Sequence, residues 1–201
     1  MGFPSVYRKN QGNAVASYDY FDLASGAGIY ELYLGFATNY IISDYRFNSS
    51  IIYTQATSAD ATTLLGSYDF DLMINKAMTI RGRMIISIPV FIAEASSSTW
   101  FTVNVQTWDG TTETTIATGG TTHANPSNTY ARSLGDITIP TTRLKAGQYL
   151  RINLLWYGNG GDNSVVMRFA HDPSQSTDAI WASTTVSSDA IVYLPVQIYT
   201  E

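Results

Sequence analysis

From Met78 to Ile92 apolar side chains recur at every second position. Met78, Ile80, Met84, Ile86, Ile88, Val90 and Ile92 share one parity, with Thr79, Arg81, Arg83 and Ser87 between them. A period of two held over this length specifies a strand with one buried face. Gly82 is the one gap in the row and marks a bulge or a close backbone approach. Pro89 marks a bend or an edge, because it has no N–H to give to a ladder. The same alternation returns at 68–74, 101–105, 150–156, 165–169 and 192–198. Noisier strand-like stretches lie at 14–23, 29–38, 45–54 and 114–118, and a short one at 134–139. Clusters of Gly, Asn, Asp, Pro and Ser separate these runs. No long window carries a 3.6-residue period, although 58–65 and 173–182 each admit one helical turn.

Roughly nine to eleven strands, with a turn every 8 to 12 residues, specify an all-β fold: an antiparallel β-sandwich of jelly-roll type. A parallel sheet would need crossover helices that the sequence lacks. No linker divides the chain, so residues 14–201 read as a single β-sandwich domain. Residues 1–13 are polar but carry Phe3, Val6 and Tyr7 beside Arg8. They read as an N-terminal arm that docks on a neighbour, or as a frayed terminus. The opening residues lack an apolar stretch behind a basic start, so no signal peptide is expected.

Only 13% of the 201 residues are charged, about half the usual share, and the net charge is −5. The polar surface must therefore come from Ser, Thr, Asn, Gln and Gly, which a partner covers at modest desolvation cost. The eleven Lys and Arg are scattered. Phosphate neutralisation has no basic footprint to work with, so nucleic acid is not an expected partner. The longest apolar run, about 88–93, is far short of a membrane span.

The chemistry available is sparse. There are no cysteines and two histidines, His123 and His171. That excludes a thiolate metal site and leaves too few ligands for zinc, so no cofactor is expected. No G-x-S-x-G elbow is present. His171 and Asp172 are adjacent and would point to opposite faces of a strand, so they form no local triad edge. Asn159, Asp162 and Asn163 offer oxygens to calcium but lack the spacing of a calcium loop; a polar turn joining 149–156 and 165–169, as a hairpin or a pair of neighbouring strands, is the alternative. Asp69 and Asp71 share one strand face, about 7 Å apart along it. With Glu94 they are the acid/base candidates for a glycosidase or lyase, against the reading of a solvated face. Trp100 and Trp108 lie out of phase with Phe101, Val103 and Val105, and Tyr149 and Tyr157 oppose the 150–156 apolar face. Exposed aromatics of this kind suit a protein partner or a glycan.

The runs SYDYFDLASGAGIYELYLGFAT, DFDLMINKAMTIRGRMIISIPV and ITIPTTRLKAGQYLRINLLWYG, with RFAHDP, resemble jelly-roll structural proteins of tailed phages and related viruses, of capsid decoration, head-fibre or tail type. The resemblance implies a non-enzymatic virion component, assembled in the host cytoplasm. It implies a homo-oligomer, with a trimer expected, docked on a major capsid or tail protein. A carbohydrate-binding module is the alternative expectation.

Overall fold

The alternation from Met78 to Ile92 becomes one strand of fifteen residues, and much of the molecule is organised around it. The computed structural model describes residues 16–17, 27–36, 40–44, 52–56, 61–92, 97–122, 124, 129–160, 165–170 and 189–197. These residues form twelve strands: β1 (Ala16–Ser17), β2 (Ala27–Phe36), β3 (Tyr40–Ser43), β4 (Ile52–Ala56), β5 (Thr62–Met73), β6 (Met78–Ile92), β7 (Ser98–Trp108), β8 (Glu113–Gly120), β9 (Thr129–Leu144), β10 (Tyr149–Asn159), β11 (Val166–Ala170) and β12 (Ile191–Gln197). Among the described residues there is no helix. The hydrogen-bonded order is β4-β11-β6-β12-β2-β3-β5-β10-β7-β8, with β9 added to β6 and β1 to β2.

The path folds into an antiparallel β-sandwich. One layer is built on β9, β6, β12 and β2, and the other on β5, β10, β7 and β8. β3 passes between them, antiparallel to β2 and touching β5 through a single parallel bridge, Ile41 with Asp71. The all-β antiparallel fold is the one the sequence specifies; the strand order does not establish jelly-roll connectivity.

Along one edge, β6 pairs with β9 for its whole length. Along the other it pairs first with β12, up to Ser87, and then with β11 from Val90. Pro89 falls where one neighbour gives way to the next, so its missing N–H costs no bond on that edge. Gly82 sits at a register shift against β9 with φ of 120°, a conformation open to glycine and strained for other residues. A Cβ there would meet the Pro195 ring at 3.4 Å, an ordinary van der Waals contact, so the bulge conformation and not crowding calls for glycine.

The core lies between the layers. Met84, Ile86, Ile88, Val90 and Ile92 face Phe101, Val103 and Val105 of β7 and Leu150, Ile152, Leu154 and Trp156 of β10. Each side chain fully withdrawn from water contributes about 1.5–3 kcal/mol. Phe169 of β11 joins the layers, with its ring centroid 5.3 Å from Phe101 and 4.9 Å from Trp156, both edge-on. The Trp156 indole N–H donates to Thr99 Oγ1 at 2.6 Å, and Thr99 donates in turn to the carbonyl of Tyr157 at 2.8 Å. The buried indole is thus paired, as a buried donor must be.

Three local expectations are corrected. Residues 149–156 and 165–169 are not a hairpin. β10 has both edges filled by β5 and β7, while β11 pairs with β4 and β6 in the opposite layer. β10 and β11 therefore lie in opposite layers, and the Gly/Asn/Asp cluster beyond Gly160 lies outside the described residues. β9 runs for sixteen residues rather than the short 134–139 segment. Its inward row includes Ser133 and Gly135, which hide the period, while Leu134 is exposed. The helical turn at 58–65 is a strand from Thr62 onward.

Candidate functional site

Alternation fixes what the outer face of the β5-β10-β7-β8 layer presents. Because the core row of β10 points inward, Tyr149, Arg151, Asn153, Leu155 and Tyr157 point outward. Register then lays the outward residues of four strands side by side. Met73, Tyr149, Trp108 and Glu113 form one rung, and Asp71, Arg151, Gln106 and Thr115 the next. Asp69, Asn153, Asn104 and Thr118 follow, then Ser67, Leu155, Thr102 and Gly120, and Leu64, Tyr157 and Trp100 close the series.

The four aromatic residues singled out in the sequence are brought together as two cross-strand pairs. Trp100 stacks on Tyr157 with centroids 5.9 Å apart and planes 12° from parallel. Trp108 lies against Tyr149 at 5.1 Å and 39°. All four are half-buried. Each pair has an exposed apolar neighbour, Leu64 beside Tyr157 and Met73 beside Tyr149.

Between the pairs the face is polar apart from Leu155, and it is internally bonded. Arg151 is only 9% exposed although it projects from the outer side. Its Nε and Nη2 donate to the two carboxylate oxygens of Asp71, both at 2.7 Å, and Nη1 donates to Asp69 at 3.4 Å and to Glu113. Its guanidinium carbon stands 4.4 Å from the Trp108 ring centroid. The Asp71 fork above all, then the charges of Asp71, Asp69 and Glu113, hold the guanidinium more firmly protonated than usual, against the opposing effect of burial. Next to it runs an amide ladder. Thr118 Oγ1 donates to Asn104 Oδ1 at 2.9 Å, Asn104 Nδ2 to Asn153 Oδ1 at 3.0 Å, and Asn153 Nδ2 to Asp69 Oδ1 at 2.7 Å.

This arrangement bears on the acid/base pair Asp69 and Asp71. They do share the outer face, but both carboxylates already bind Arg151. Asp71 is held at both oxygens, which leaves it poorly placed to carry a proton to a substrate. The guanidinium occupies the space a cation would need between Asp69, Asp71 and Glu113. Among the described residues no group of three or more His, Asp or Glu is arranged to hold a metal. Asn159 ends β10. Asp162, Asn163, Glu94, His123, His171, Asp172 and the arm residues Phe3, Val6, Tyr7 and Arg8 lie outside the described residues.

Arg151, Asn104, Asn153 and Glu113 were not singled out in the sequence. Each lies at a polar position of an alternating strand, but only the register of β10 against β5 and β7 shows that they meet. A separate cleft of about 540 Å³ opens between β2, β3 and the β5–β6 turn, lined by Glu31, Ser43, Asp44, Leu72, Met73 and Lys76 among others. Met73 belongs both to this cleft and to the rung that carries Trp108 and Tyr149.

No protein-family model matches the chain, and no curated protein matches it in sequence. Solved structures do share its fold. A CocE/NonD family hydrolase from Staphylococcus aureus aligns over 86% of this chain and 37% of its own, with a TM-score of 0.57 at 12% identity. An α-amino acid ester hydrolase aligns over 84% of this chain and 36% of its own, with a TM-score of 0.60 at 10% identity. An aminopeptidase from a marine sediment Thaumarchaeota archaeon gives the same coverages and TM-score at 5% identity. The chain thus spans a little over a third of the length of these proteins, and at such identities the likeness is one of fold. It overturns the resemblance to phage structural proteins, which rested on the style of the strands. These three solved structures are hydrolases, so the expectations of a virion structural role and of a non-enzymatic chain are both withdrawn.

Proposed function

We propose that this chain is the β-sandwich part of a hydrolase acting on ester or amide bonds. One observation carries the reading: the aligned solved structures are an ester hydrolase, an aminopeptidase and a CocE/NonD family hydrolase, each matched over at least 84% of this chain. The reaction common to esterases and peptidases is attack at an acyl carbon, which needs a nucleophile, a base and donors for the developing oxyanion. The Arg151 cluster does not have that form. Four of the five N–H donors of Arg151 are taken by Asp69, Asp71 and Glu113, and its role in this reading is to stiffen the outer face of the layer. The shared region is a minority of each neighbouring hydrolase, so the β-sandwich works here together with further protein that completes the reacting centre.

The test is turnover. The full chain, alone and in the native complex that co-fractionates with it, is assayed on aminoacyl p-nitroanilides and on p-nitrophenyl esters. Hydrolysis that tracks the chain through fractionation is the expected result. Absence of turnover in both preparations, with the chain folded by circular dichroism, overturns the proposal.

A further inference from the structure

The outer face of the β5-β10-β7-β8 layer has a pattern that its structural role does not explain. Two aromatic pairs, each with an exposed apolar neighbour, stand at the two ends of a polar strip. Tyr149 and Tyr157 are eight residues apart on β10, which places the pairs about 27 Å from each other along the strand. A protein–protein interface concentrates its apolar residues at the centre and its polar groups at the rim. This face tends the other way, with Asn104, Asn153, Gln106, Thr115 and Thr118 in the middle beside the single leucine Leu155 of β10.

We propose that this face binds an uncharged oligosaccharide laid along β10. A sugar ring has an apolar face of C–H groups and a rim of hydroxyls, so it matches surfaces that alternate aromatic planes with fixed amides. The Trp100–Tyr157 and Trp108–Tyr149 pairs supply the stacking platforms, with one face of Trp108 already covered by the Arg151 guanidinium. Asn153 spends both amide hydrogens on Ser67 and Asp69, so the directional bonds fall to the second amide hydrogens of Asn104 and Gln106, whose side chains are already oriented by Thr118, Asn153 and Thr115 at little further ordering cost.

Charge selects the ligand class. The strip holds three carboxylates, Asp69, Asp71 and Glu113, and one guanidinium, Arg151, a formal sum of +1 − 3 = −2. An acidic polysaccharide or a nucleic acid is repelled. The guanidinium is enclosed, so it offers such ligands no compensating contact.

The inference stands apart from the hydrolase reading, since it concerns binding and needs no turnover. The experiment is titration of the full chain with cellohexaose, xylohexaose and mannohexaose, with heparin as the acidic comparator, followed by calorimetry and tryptophan fluorescence. Saturable binding of at least one neutral hexasaccharide is expected, with no binding of heparin. Trp100→Ala and Trp108→Ala are each expected to weaken it about tenfold, while Trp100→Phe and Trp108→Phe retain most of it. Circular dichroism of all four variants separates lost stacking from lost folding. Binding unchanged in both alanine variants, binding of heparin alone, or no binding of any neutral probe by the folded chain overturns the proposal. So does sedimentation showing self-association that Trp100→Ala and Trp108→Ala abolish, which would give the face to a second copy of the chain.

Discussion

Replacing Arg151 with methionine tests the account of the outer face most directly. The substitution keeps an unbranched stem against Trp108 and removes the charge that Asp69, Asp71 and Glu113 share. Breaking a buried ion pair costs about 3–5 kcal/mol. The value here is smaller, because the Asp69 and Glu113 side chains are 45% and 43% exposed and water screens them, which leaves the Asp71 fork, 19% exposed, as the main loss. About 2–3 kcal/mol is expected, equivalent for a chain of this size to a fall in Tm of about 4–12 °C. Salt gives the argument a sign. In the variant three carboxylates face one another without a cation, so added NaCl relieves their repulsion and narrows the gap to wild type. Thermal melts at low and high salt, with Asp71→Asn and the double variant, complete the cycle. A coupling of about 1–2 kcal/mol between the two positions is expected. A variant that melts within about 1 °C of wild type, a gap that widens with salt, or strict additivity would refute the reasoning.

Other substitutions address the interior. Thr99→Val removes the acceptor of the Trp156 indole N–H and the donor to the Tyr157 carbonyl, and should cost about 1–3 kcal/mol in chemical denaturation, with no change in m-value. Gly135→Ala places a Cβ 2.7 Å from Ile86 Cγ2 and 3.1 Å from Thr121 Cγ2, where β8 and β9 approach, and should cost about 1–3 kcal/mol by overpacking, read from the same denaturation curves. Tyr68 is pushed up from 10.0 to about 12, first by burial and then by the nearby Tyr40 hydroxyl. Because the folded state favours the neutral phenol, its contribution is whole below pH 10 and is lost as pH rises toward 12. Stability followed by denaturation should fall across that window, and more gently in Tyr68→Phe.

Much of this was written in the sequence, and the limits of that legibility are physical. Periodicity reports which face a residue takes, and the inward rows of β6, β7, β10 and β12 follow it. The Gly82 bulge was readable because a glycine interrupting a strict apolar row has few other uses. Periodicity does not report the neighbour of a strand. For that reason 149–156 and 165–169, adjacent in the chain and joined by turn residues, read as a hairpin when they belong to opposite layers. β9 was nearly invisible because its inward row passes through Ser133, whose hydroxyl bonds Thr121 and the Thr122 carbonyl, and Gly135, where Ile86 and Thr121 press close. At the candidate site Trp100, Trp108, Tyr149 and Tyr157 could be placed on an outer surface, yet their pairing could not. The Arg151 cluster was missed altogether. Its four charged members come from β5, β8 and β10, and nothing local ties position 151 to positions 69, 71 and 113.

The position of β12 has a consequence for how the chain is made. It lies between β2 and β6, near the middle of its layer, yet it is the last described strand in sequence. During synthesis the pairing edges of both neighbours stay open until Gln197 has emerged, and unpaired edges template association with other chains. A product interrupted before Ile191 would lose more than a strand. It would leave two long apolar strands, β2 and β6, facing an empty slot, with intermolecular pairing as the ready way to fill it.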